Sequence, residues 1–235
     1  MSELKLTVEN GVQELVVLQG EAPKIHYPEQ FQVGGVTISA IYEYLSKSNV
    51  SEPAILDSVL LFSYDRLTMK LQYRISDRNT HVLLTSIVLN PDLTQFEINS
   101  GKRYSPFALS DFIKMNRHLF ESKSVAMELV SVLRNIKASV NKAIEANKDE
   151  RGNRRALIDQ VVQTNIPESF NIELPVFKGQ PKMIIPVEVV IDEDLECVLM
   201  SPDLKQIIAE QSELLIGAEL DKIKELHPQL RIYQE

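Results

Sequence analysis

Residues 165–203, NIPESFNIELPVFKGQPKMIIPVEVVIDEDLECVLMSPD, constrain the fold of this chain more than any other stretch. Phe170, Ile172, Leu174 and Val176 alternate with Asn171, Glu173 and Pro175. That period of two is the pattern of a strand with one face buried and the other wet. Gly179 and Pro181 mark a turn over 178–182, after which Val187, Val189 and Ile191 share one face and Glu188 takes the other. Asp192, Glu193 and Asp194 read as a solvated hairpin end, and 195–200 as a third strand. The stretch therefore predicts three consecutive strands joined by two turns. It carries no recognisable chemical site.

The flanking segments extend the same alternation. Leu4, Leu6 and Val8, the dipeptide Asn10-Gly11 and the apolar run 15–18 predict an N-terminal hairpin. Gly20, Pro23, Pro28, Gly34 and Gly35 punctuate a loop over 20–35, and a helical pattern opens at Val36, with Ile38, Ile41, Tyr42 and Leu45 on one face. The glycine pair lacks the remaining glycines and the lysine of a phosphate-binding loop. Between residues 55 and 98 four strands are expected, DSVLLFSYD, LTMKLQYRISD, HVLLTSIVLN and TQFEIN, with Asn90-Pro91-Asp92 as a turn. In the second of these Leu67, Met69, Leu71, Tyr73 and Ile75 share a face, and Thr68, Lys70, Gln72 and Arg74 share the other.

Helical spacing then takes over. Ser105-Pro106 supplies an N-cap and a first-turn proline for a helix with Leu109, Phe112, Ile113 and Phe120 inward. A second helix follows with the stripe Val125, Leu129, Val132 and Ile136. Beyond it two readings compete. Val140, Lys142 and Ile144 can pair with Ala156, Ile158, Gln160 and Val162 as an exposed hairpin around the turn Asp149-Glu150-Arg151-Gly152-Asn153, or the helix can continue to about Asn147. Gly152 and Asn153 favour the hairpin. Ser201-Pro202-Asp203 repeats the cap pattern before a long helix, His227-Pro228 ends it, and Leu230, Ile232 and Tyr233 form a closing strand. Ile207, Leu214, Leu215 and Ile223 make that helix more apolar than one face needs, which points to self-association. The fold class expected is α+β, antiparallel meanders with about four helices. A β-rich part over 1–100 precedes an α+β part over 101–235, or the two form one continuous domain.

Composition narrows the function classes. Hydrophobic residues make up 44% of the 235 positions and charged residues 25%, which places the chain among globular proteins rather than disordered ones. A single cysteine, Cys197, excludes an internal disulfide and a multi-cysteine zinc site, and its apolar strand favours inert packing in a reducing compartment. The opening MSELKLTVEN lacks the basic start and apolar run of a secretory signal, and no segment approaches the ~20 apolar residues that span a bilayer. A soluble, cytoplasmic protein without membrane partners is expected. The formal net charge of -8 is unevenly distributed. Residues 1–99 hold 7 basic and 12 acidic side chains, 100–160 hold 12 and 7, and 161–235 hold 6 and 14. The plainest reading is a division of solvated faces; the sharper ones are a binding patch or a complementary contact between subunits.

The order of elements resembles the YfdQ-like family of phage and prophage proteins. The segments that carry the resemblance are FEINSGKRYSP at 96–106, DERGN at 149–153, IPESFNIELPVFKG at 166–179 and VEV at 187–189. The resemblance implies a phage-encoded protein of α+β fold, in the host cell cytoplasm. It implies no activity, cofactor or site residue.

The residues themselves supply little chemistry. His26, His81, His118 and His227 are scattered, without an i,i+4 pair, so no metal site is expected. Asp192, Glu193, Asp194 and Glu196 lack the spaced ligands and glycine of a calcium loop. No GxSxG or Ser/His/Asp order is visible, so no catalytic residue and no cofactor is assigned. For binding, the basic middle offers Lys102, Arg103, Lys114, Arg117, Arg151, Arg154 and Arg155. Clustered cations are what phosphate contacts require, and nucleic-acid binding in phage DNA metabolism is the alternative function. The leading reading is a non-catalytic protein-interaction or assembly module, whose partner is a second copy of the chain or a host or phage protein.

Overall fold

The computed structural model describes residues 31–48, 50–76, 80–146, 161, 167, 169–192 and 194–235, without the side chains of 137 and 141–146. Helices and sheets are both present, so the class is α+β. The expected N-terminal hairpin and the turn 149–153 lie outside the described residues.

One sheet has five strands in the order β1-β4-β3-β2-β8. They are β1 (Gln32–Val36), β2 (Val59–Ser63), β3 (Thr68–Tyr73), β4 (His81–Ser86) and β8 (Arg231–Gln234). β2, β3 and β4 pair antiparallel in sequence order, while β1 joins β4 and β8 joins β2 in parallel. The sheet is therefore mixed, and the expectation of antiparallel meanders is corrected at its edges: parallel partners must return from elsewhere in the chain, which a local strand pattern cannot reveal. Leu60, Met69, Leu71 and Leu83 point to a buried face closed by Ile41 and Leu45 of α1 (Ala40–Lys47) and by Leu230. Three hydroxyls in this sheet region are buried and bonded. Ser63 Oγ of β2 accepts the Arg66 amide at 3.3 Å. Thr85 Oγ1 donates to the Met69 carbonyl at 3.1 Å, and Ser58 Oγ donates to the Ala54 carbonyl at 2.6 Å, in the short helix α2 (Glu52–Leu56).

A second core is built from an almost contiguous run of sequence. Its three-stranded antiparallel sheet, β5 (Phe170–Leu174), β6 (Met183–Ile191) and β7 (Cys197–Met200), occupies the stretch singled out above. Ile172, Leu174, Ile185, Val187 and Leu199 face inward. Against them lie α3 (Pro91–Thr94), α4 (Pro106–Met115), a 3-10 turn (Arg117–Leu119) and α5 (Lys123–Ala146); the helices α4 and α5 contribute Leu109, Ile113, Leu129, Leu133 and Ile136, and Phe96 enters from the loop after α3. Ser105 Oγ accepts the Ala108 amide at 3.2 Å, capping α4 as its sequence predicts.

The last helix, α6 (Leu204–Leu226), spans both cores. Leu204 is buried in the second, with Ile207, Ile208 and Leu215 packed on it, and Ile216, Leu220 and Ile223 are buried in the first. This divides its apolar surface between two partners, so three of the four residues that suggested self-association are engaged within the chain; Leu214 is the one left 64% exposed. Ile87, which follows β4, touches both cores.

Several local expectations are corrected. Residues 32–36 form a strand rather than a loop, with a register shift between Val33 and Val36 where Gly35 takes a φ of +70°. α1 opens at Ala40, four residues later than expected. TQFEIN is not a strand: Thr94 ends α3, and Glu97 and Asn99 have φ of +52° and +60°, outside the extended region. Val140, Lys142 and Ile144 continue α5, so the helix rather than the hairpin runs to Ala146. Asp203 rather than Ser201 precedes α6, because Ser201 is held by Asn99, whose Oδ1 accepts its amide at 2.9 Å and whose Nδ2 donates to its carbonyl at 2.7 Å. Six α-helices are present among the described residues rather than about four, the additional two being α2 and α3, of one turn or little more.

Candidate functional site: a cleft between the cores

Where the two cores meet, a cleft of about 570 Å³ opens, within the size range of small-ligand sites. Three segments form its walls. The first is 35–39, the exit of β1, which the Gly35 bulge turns away from the sheet before α1 begins. The second is Ser86, Ile87 and Val88, where the chain leaves β4 and pairs with the other core: Lys178 N–H donates to the Val88 carbonyl at 2.9 Å and Asn90 N–H to the Val176 carbonyl at 2.9 Å. The third is the turn Lys178-Gly179-Gln180. Leu215 and Glu219 of α6 complete the lining.

Glu219 is the unusual member. Its spacing from Leu215, Ile216 and Ile223 puts it on the inward side of α6, and its side chain is only 10% exposed. Lys222, one turn on and itself exposed, donates to Oε1 at 2.8 Å, and that hydrogen bond with the carboxylate raises the Lys222 ammonium pKa above its ordinary value. Oε2 is buried without a hydrogen-bond partner among the described residues. Leaving a buried acceptor unmatched costs about 1–3 kcal/mol, and more when it is charged. An acid on the apolar stripe of a helix, one position before Leu220, was the sequence signal for it.

A smaller cavity of about 300 Å³ lies beside the start of α4, lined by Ser105, Phe107, Leu133, Arg134, Asp194 and Glu196. Its cation is already engaged: Arg134 meets Asp111 at 2.6 Å and Ser110 Oγ at 3.3 Å, and stacks over Phe107 at 5.2 Å. Among the described residues, no group lining it is left unmatched in the way Glu219 is.

The four predicted binding residues that are described fall in two places. Lys102 lies 3.7 Å from Glu97 and over the Tyr104 ring at 5.0 Å, and Arg103 lies 3.2 Å from Asp192. Both precede α4. Lys114 and Arg117 are exposed at its other end, about 15 Å further along at 1.5 Å per residue. Arg151, Arg154 and Arg155 lie outside the described residues. In the acidic hairpin end, Asp192 Oδ1 accepts the amides of Asp194 and Glu196 at 2.9 and 2.8 Å, which accounts for it as turn chemistry. Cys197 is buried, and burial followed by the Asp192 and Glu196 charges pushes its thiol up to about 12.

Among the described residues no group of three His, Cys, Asp or Glu is arranged to hold a metal, and no helix is long and apolar enough to cross a membrane. Comparison with protein-family models, with curated proteins and with solved structures gives no match for this chain.

Proposed function

We propose that the protein is a non-catalytic interaction module that assembles through the outward face of its three-stranded sheet, a second copy of the chain being the first partner to test. The observation that carries this reading is the chemistry of that face. An antiparallel sheet with one side on a core usually turns polar residues to water. Here Ile184, Val190 and Met200 are 51%, 44% and 43% exposed, and Val190 stands directly across from Val198. Glu173, opposite Ile184, and Glu188, opposite Met200, interrupt the apolar surface with charge, which suits a specific contact better than indiscriminate aggregation. A phage or prophage origin, with action in the host cytoplasm, rests on the motif resemblance alone.

Sedimentation of the full chain at tens of micromolar tests the reading. Association that rises with concentration and disappears in a V190K/M200K variant of unchanged melting temperature is the expected result; exposed substitutions of this kind usually cost within about 0.5 kcal/mol. A monomer at every concentration, at low and high salt, overturns self-assembly.

A further inference from the structure

We propose that the outer edge of β8 pairs antiparallel with β8 of a second copy of the chain, in the register that sets Arg231 against Glu235 and Tyr233 against Tyr233. The contact lies on the five-stranded sheet and stands independently of the sheet-face reading.

The edges of the two sheets are finished differently. In the three-stranded sheet both are covered: Asn99 N–H donates to the Leu199 carbonyl at 3.0 Å and Tyr104 exchanges hydrogen bonds with Cys197 beside β7, while Glu121 N–H donates to the Asn171 carbonyl at 3.1 Å beside β5. In the five-stranded sheet β1 is blunted by the bulge at Gly35. β8 is regular, and no strand among the described residues lies on its outer side. Glu235 N–H donates to the Phe62 carbonyl of β2 at 2.8 Å, and backbone groups alternate sides along a strand, so those of Ile232 and Gln234 point outward. An antiparallel copy with Ile232 opposite Gln234 meets them with its own outward groups, and both bonds are exchanged at each of those positions.

That register decides the side chains. Ile232 packs toward the first core, so Arg231, Tyr233 and Glu235 share the outer face, where Tyr233 is 55% exposed. They fall opposite Glu235, Tyr233 and Arg231 of the second copy, at the positions where facing side chains come closest. A parallel pairing in register would instead set each charge against its like. Both charges also have neighbours in their own chain. Arg66 meets Glu235 at 3.2 Å, and Arg231 adds to the Ser76 hydrogen bond in holding the Asp57 carboxyl below its ordinary range. The pairs across the axis therefore set register more than affinity. With about four backbone hydrogen bonds of ~1 kcal/mol each, the contact alone has a Kd on the order of a millimolar, too weak to hold the V190K/M200K chain together at tens of micromolar.

The test titrates the full V190K/M200K chain, in which the sheet-face contact is removed, with the capped peptide of residues 229–235 at low salt, followed by amide chemical shifts. Saturable shifts at the amides of Arg231, Ile232, Tyr233 and Gln234 are expected, with none at Gln32–Val36, the opposite edge of the same sheet. Gln234→Pro in the peptide removes the donor to Ile232 and should weaken binding about fivefold or more, the scale of one hydrogen bond. Glu235→Lys in the peptide sets a cation against Arg231 and should weaken it about threefold, and Arg231→Glu in the protein should restore it. The peptide arms decide even if Arg231→Glu lowers the stability of the chain. No saturable shift at β8, equal shifts at β1, unchanged affinity for either variant peptide, or no restoration by a folded Arg231→Glu chain overturns the proposal. So does equal binding of a peptide carrying R231T and E235T, which would make the edge a general acceptor of strands. Sedimentation of the wild-type chain judges the sheet-face reading and this titration judges the edge, so either can fail alone.

Discussion

The two cores are put together in opposite ways. The second takes its buried residues from Leu93 to Leu204, mostly in strands and helices that succeed one another in the chain. The first joins residues 41–83 to residues 216–230, so its sheet and helices close only when the far end of the chain returns. β8 shows the difference most directly, pairing Val59 with Arg231 and Phe62 with Gln234 across more than two thirds of the sequence. A core of near neighbours forms with modest loop-closure cost, whereas one that joins distant segments must hold a long loop before any contact rewards it. α6 is the element that makes the return, and the cleft lies where it passes from one core to the other.

The largest effect should come from emptying the second core. Phe96 is fully buried among Phe112 and Phe120, and Phe96→Ala should cost about 3–5 kcal/mol, read as a fall in denaturation midpoint with unchanged slope. Smaller, and located at the link between the regions, is Asn99→Ala. It removes both hydrogen bonds to Ser201 and places alanine at a φ of +60°, so a loss of about 1–3 kcal/mol is expected by the same measurement. A gain is expected from Gly217→Ala. Gly217 lies inside α6 next to the residue where the helix passes from one core to the other, a Cβ there meets nothing within 4 Å, and replacing an interior helical glycine stabilises by about 0.5–1 kcal/mol.

The thiol supplies a pH test. Folded Cys197 holds its proton more tightly than the unfolded chain does, so its contribution to stability is complete below the ordinary thiol range, near 8.5, and is lost as pH climbs toward about 12. At pH 8 an aromatic disulfide reagent should leave the native protein unlabelled and modify it fully in denaturant; rapid labelling of the native chain would contradict the buried placement.

What the sequence made legible follows the same division. The alternation of Phe170, Ile172 and Leu174 and the cap at Ser105 report interactions made within a few residues, and both are found in the structure. TQFEIN misled because left-handed turns at Glu97 and Asn99 leave no hydrophobic signature, and a β-like composition stood in their place. The parallel edges at β1 and β8 were illegible because a strand's pattern records which face is buried, not which partner lies beside it. Glu219 was missed for a related reason. A charged residue on an apolar stripe looks like noise in the period until the opposite wall, formed by residues 35–39, 86–88 and 178–180, is known.

Native-state hydrogen exchange on the Phe96→Ala variant tests most directly the claim that the chain holds two cores joined by α6. The account predicts that the amides of Ile172, Ile185, Val187 and Leu199 lose protection while those of Leu60, Met69, Leu71 and Leu83 keep theirs, because the cavity opens in one core and the other is closed by different segments. An equal loss of protection in both sets would contradict it, showing that the chain opens as a single unit.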